Sequence, residues 1–168
     1  MITLSNDSVA DRWMRLLRDC SGNGVALIDQ VERELDLAKL PAVTWTPDTL
    51  AGASLKGMLG GRREALIVRN KRFREFQIAI ACWGYGTYLQ VVRYVVSSSG
   101  LAGSLRRKAL FDKEQSDRYT PGAELDVLAS AELDAWIAAT DFSLRTAIDS
   151  LLQDDEKTGD PWNLLTFD

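Results

Sequence analysis

"VRNKRFREFQIAIACWGYGTYLQVVRYVV" (68–96) decides how this chain is read. Its opening carries Arg69, Lys71, Arg72 and Arg74, interleaved with Phe73 and Phe76. The next 17 residues, 76–92, carry no charge. Three readings compete: a membrane span, a nucleic-acid grip, and a hairpin with a charged turn.

The span fails on its period. "FQIAIACW" (76–83) alternates, with Phe76, Ile78, Ile80 and Cys82 on one side and Gln77, Ala79, Ala81 and Trp83 on the other. "TYLQVVRYVV" (87–96) alternates likewise, and "WGYG" breaks the run in its middle. A bilayer needs about 20 continuous apolar residues, whereas a period of two belongs to strands. "RNKR" and "GYG" supply turn chemistry, and "EALIVR" (64–69) is a third β-branched run. The stretch therefore reads as a three-stranded antiparallel meander with a basic turn.

Working outward, 7–20 reads as an amphipathic helix. Val9, Trp13, Leu16, Leu17 and Cys20 fall on one 3.6-residue stripe. "SGNG" (21–24) stops it, and a second helix follows, with Leu27, Ile28, Val31 and Leu35 as its apolar face and Pro41 beyond its end. These two predict an N-terminal helical hairpin. "AVTWTP" (42–47) predicts a short strand, and the glycine-rich 48–64 a loop with one turn of helix or a short strand. After a serine-rich loop, "LRRKALF" (105–111) reads as a turn of helix, and 112–124 as irregular. Leu133, Trp136, Ile137, Leu144, Ala147, Ile148, Leu151 and Leu152 predict a long helix over 129–153, with 141–143 as a place where it breaks or recaps.

The fold class is thus α+β: an N-terminal helical hairpin, a small antiparallel β-meander of about three to four strands, and a long C-terminal helix packed on the sheet. Residues 1–153 form one domain, and 154–168 an acidic, aromatic tail. Arg93, a lone charge among apolar neighbours, implies either an incompletely buried face or an acidic partner on the C-terminal helix.

Charge is segregated. Residues 1–121 carry 18 Lys and Arg against 13 Asp and Glu, a balance of +5; residues 122–168 carry 2 against 11, a balance of −9. The two parts are expected to neutralise each other in part, and the acidic part can screen the basic one.

Several chemistries lack their residues. The chain has no histidine, so the commonest general base and metal ligand are missing. Its two cysteines, Cys20 and Cys82, sit apart in apolar runs and offer no zinc spacing. "GMLGGRRE" (57–64) lacks the Lys-Ser or Lys-Thr of a phosphate loop. No catalytic residue, metal site or cofactor is expected. The N-terminus has no secretory pattern, and free thiols suit a cytoplasmic protein.

Two stretches remain as candidate binding sites. Arg62, Arg63, Arg69, Lys71, Arg72 and Arg74, with Phe73, could neutralise phosphates and stack on bases, or could keep a sheet edge soluble. In the tail, Trp162, Leu164, Leu165 and Phe167 either dock on the fold or serve a partner groove. "WNLL" (162–165) resembles the aromatic-x-x-aliphatic peptides of autophagy receptors, and "LLTFD" (164–168) resembles a clathrin box. The expectation is a small, cytoplasmic, non-catalytic protein-interaction module, such as an adaptor, inhibitor or accessory subunit. Another protein is its expected partner. The alternative is a nucleic-acid-binding module using 62–74.

Overall fold

The structure, a computed structural model, describes residues 1–5, 8–52, 63–97, 127–156 and 164–165. Among these residues the order of elements is β1 (Ile2–Leu4), β2 (Val9–Leu17), α1 (Gly24–Ala38), β3 (Val43–Gly52), β4 (Arg63–Asn70), β5 (Phe76–Tyr85), β6 (Tyr88–Ser97), α2 (Val127–Glu156) and β7 (Leu164–Leu165). The strands form one mixed sheet in the order β1-β3-β4-β5-β6-β2-β7. β1 runs parallel to β3, and every other pair is antiparallel.

The meander is present as β4–β5–β6, with Ile78 opposite both Val68 and Val95. Tyr85 pairs with Tyr88 across a tight turn, where Gly86 takes φ +63°, a conformation that only glycine adopts without steric cost.

The N-terminal helical hairpin is not there. Residues 9–17 are strand β2, which pairs with β6 from Val9↔Val96 to Leu17↔Leu89. The apolar stripe of Val9, Trp13 and Leu16 suits a helix, whereas as a strand each face mixes charged and apolar residues, Asp11, Trp13, Arg15 and Leu17 on one and Arg12, Met14 and Leu16 on the other. Pairing with β6 overrides the helical stripe, because a ladder satisfies the backbone and sends Leu17 into the core, fully buried. A register shift between Val9 and Asp11 places an extra residue, Ala10, in β2.

The meander is also wider than three to four strands. β3 continues through Asp48 and Thr49 into the stretch that reads as a loop with a turn of helix or a short strand, and pairs with β4 from Val43↔Asn70 to Leu50↔Arg63. Pro47 is tolerated because β1 reaches β3 only from Leu50 onward, so that among the described residues β3 has no second neighbour beside the proline.

α1 forms where its spacing predicts. Leu27, Val31 and Leu35 are buried, and Lys39 closes the helix in the left-handed conformation. α2 runs unbroken through 141–143. Thr140 turns its hydroxyl back to the Trp136 carbonyl at 3.0 Å, and Asp141 is engaged by the sheet instead of recapping the helix. Both helices pack on one sheet face, joining Leu66, Val68, Ile78, Ile80, Leu89, Val91 and Val95 in the main core. Each fully buried leucine there contributes about 1.5–3 kcal/mol.

The other face is not simply solvated. Leu50, Ala65, Ile67, Ala79, Ala81 and Val92 form a second buried cluster, bordered by half-buried Ile2, Leu4, Met14, Trp83 and Tyr94. Central strands buried on both faces read as continuous apolar runs, which accounts for "EALIV" and "IAIA". No described helix is long and apolar enough to cross a membrane. The expected helical turn at 105–111 and the irregular 112–124 lie outside the described residues.

Candidate interaction sites

The basic cluster is contiguous in sequence but divided in space. Arg63 opens β4, while Lys71, Arg72 and Arg74 sit in the turn after its end. Seven residues of strand place the two groups about 23 Å apart. Arg63 lies over the Trp83 ring, 5.2 Å from its centroid. Arg62 lies outside the described residues.

The turn cations have internal contacts. Arg69 Nη1 donates to Thr46 Oγ1 at 2.8 Å, and Nη2 lies 3.8 Å from Asp48. Arg72 reaches Glu132 of α2 at 3.0 Å, and its N–H donates to Asn70 Oδ1. Arg74 Nε donates to the Lys71 carbonyl at 3.3 Å. Phe73 is buried and stacks on Trp136, with centroids 6.3 Å apart and planes at 10°. That ring staples the turn to α2. Lys71, Arg72 and Arg74 remain exposed.

Arg93 has the acidic helix partner that its lone position implies. Its side chain is only 5% exposed. Nη2 donates to Asp141 Oδ2 at 2.8 Å, and Nε lies 2.8 Å from Asp141 Oδ1, near enough for attraction but off the hydrogen-bond angle. Nη1 donates to Asp11 of β2. One buried cation therefore ties β6, β2 and α2 together. Burial pushes the Asp141 carboxyl above the usual carboxylate range, against the pull of Arg93.

The tail reaches β2. Leu164 and Leu165 form β7, antiparallel to Leu17 and Leu16. Trp162 and Phe167 lie outside the described residues. β2 has β6 on one side for its whole length, and among the described residues only β7 on the other. The part from Val9 to Arg15, without a second neighbour among the described residues, presents backbone groups that a further strand could pair with. β2 and the turn after it carry Arg12, Arg15 and Arg18. Nothing in the local sequence singled out this edge, because the apolar stripe of 9–17 reads as a helix.

A groove of about 530 Å³ opens between α1 and β3–β4, lined among others by Val25, Ile28, Asp29, Pro47, Glu64 and Cys82. Its described lining holds the carboxylates of Asp29, Asp48 and Glu64. The Cys82 thiol donates to the Gly24 carbonyl at 3.2 Å, and burial pushes its pKa up to about 11. Among the described residues no group of three or more His, Cys, Asp or Glu is placed to hold a metal ion.

Comparison with protein-family models, with curated proteins and with solved structures finds no match to this chain.

Proposed function

We propose that this chain is a non-catalytic protein-interaction module that takes up an extended segment along the open edge of β2. One observation carries the proposal: an extended segment, the chain's own Leu164–Leu165, already pairs with the same edge of β2 at Leu17 and Leu16, in antiparallel register. Strand addition supplies main-chain hydrogen bonds irrespective of sequence, and side chains at alternate positions supply selectivity. The tail itself describes a suitable ligand, an apolar core flanked by carboxylates such as Asp154, Asp155, Asp160 and Asp168. Arg12, Arg15 and Arg18 match those carboxylates in sign. Cys20 and Cys82 are not joined in a disulfide, which suits the reducing cytoplasm.

The test is a fluorescent peptide of residues 158–168 titrated against the full chain. A variant with Leu164→Asp and Leu165→Asp weakens the chain's own strand and is expected to bind the peptide more tightly than the wild type does. Adding Arg12→Glu and Arg18→Glu to it should weaken that binding. No binding to either chain, or binding indifferent to these arginines, overturns the proposal.

The exposed turn cations Lys71, Arg72 and Arg74 favour a second reading, a nucleic-acid contact. It requires salt-steep binding of labelled DNA or RNA that is lost when all three become alanine. Binding that survives this change, or none at low salt, removes it.

A further inference from the structure

We propose that Arg15 determines which segment the β2 edge accepts, by selecting a strand with an Asp or Glu directly opposite it. This inference rests on strand addition at that edge and names the chemistry of the occupant. β7 fixes the register, with Leu164 opposite Leu17 and Leu165 opposite Leu16. An occupant that continues this antiparallel register sets its next two residues opposite Arg15 and Met14. Residues opposite one another across a ladder share a face, with their Cβ atoms about 5 Å apart. Successive residues change face.

The two faces ask for different side chains. Met14 is half-buried at the border of the second cluster, so the position opposite it suits an apolar group. Arg15 stands on the other face, opposite Val91 of β6, where α2 packs. Its side chain is 13% exposed, and its Nε is buried without a hydrogen-bond partner. Its Nη1 meets Asp149 of α2 only at 3.8 Å, and the Asp149 side chain is 62% exposed. So loose and exposed a pair contributes little, whereas a half-buried guanidinium gains from a close, charge-assisted partner. A carboxylate arriving opposite Arg15 supplies one, and Asp149 can turn into water. Arg145, over the Trp13 ring at 5.8 Å, adds a second cation two residues along the same face.

The occupant is therefore an extended segment that runs apolar, apolar, acidic, apolar. The chain's own sequence at 164–167, Leu-Leu-Thr-Phe, meets this pattern everywhere except at Thr166. It has a neutral hydroxyl where Arg15 selects a carboxylate, which suits an internal strand that a partner displaces.

Peptides of residues 158–168, titrated against the chain carrying Leu164→Asp and Leu165→Asp, test this. The Thr166→Glu peptide is expected to bind about fivefold tighter than the Thr166→Gln peptide, the upper end for a cross-strand charge pair. That advantage should vanish in a chain that also carries Arg15→Gln. A Phe167→Glu peptide, whose charge moves to the face of Met14, should bind no tighter than the unaltered peptide. Equal affinities for the Thr166→Glu and Thr166→Gln peptides overturn the proposal and leave strand addition standing. So does an advantage that survives Arg15→Gln, or a gain from Phe167→Glu, since either makes the attraction one of bulk charge. The peptide comparisons decide the matter even where Arg15→Gln unfolds the chain. If no peptide binds, strand addition itself fails, and this inference with it.

Discussion

Arg93 of β6 grips Asp141 of α2 with a fork of two nitrogens, each 2.8 Å from its own carboxylate oxygen, at the junction of sheet and helix. Removing one partner of a buried ion pair strands the other charge. Asp141→Ala should therefore cost about 3 kcal/mol, the lower end of the usual range because Asp11 still holds the guanidinium. Urea denaturation measures it, and a loss under about 1 kcal/mol would mean that water reaches Arg93.

The same carboxyl sets a pH dependence. Burial is the largest influence on Asp141 and raises its pKa above the ordinary 3.8, with Arg93 and Arg145 opposing. The folded state therefore holds a proton that the unfolded state has released in the window above 3.8. Asp141's own contribution to stability is greatest below that value and declines as pH rises through the folded pKa. Asp141→Asn should make stability less dependent on pH across this window. An unchanged slope between wild type and variant would argue against the raised pKa.

Phe73 joins the basic turn to α2 through Trp136. Phe73→Ala should cost about 3–5 kcal/mol, since it opens a cavity between the turn and the helix. Lys71→Ala, an exposed change two residues away, should stay within about 0.5 kcal/mol. Thermal unfolding of the two variants separates a stapled turn from a loose one.

Cys82 reacts as a thiolate or not at all, and its pKa of about 11 leaves little thiolate near neutrality. Alkylation of the native chain should be slow at pH 8 and steepen with pH, and urea should abolish the protection of both cysteines. Rapid alkylation of Cys82 in the native chain would show that the contact with Gly24 opens readily.

β5, β6, α1 and most of α2 are legible along the chain because each keeps one period over its whole length. Ile78 and Ile80 alternate with Ala79 and Ala81, and Leu27, Val31 and Leu35 repeat every four residues. β2 is not legible. The apolar stripe of "VADRWMRLL" has the helical period, and only pairing with β6, some eighty residues later, selects the strand. β3 is hidden by Pro47 and Asp48, which are acceptable there because of an edge that lies far off in the sequence. The basic cluster misleads in the opposite direction. Neighbours in sequence, Arg63 and Arg72 stand at opposite ends of a strand, and Phe73 turns inward.

Composition and period settle the absence of histidine chemistry, the charge division, the meander and the long helix, because these depend on residue type and local spacing. Which strands flank the meander, which carboxylate answers Arg93, and what the tail pairs with are settled by contacts between distant segments. Such contacts exchange loop entropy for burial and backbone pairing, and no local stretch of the chain carries that balance.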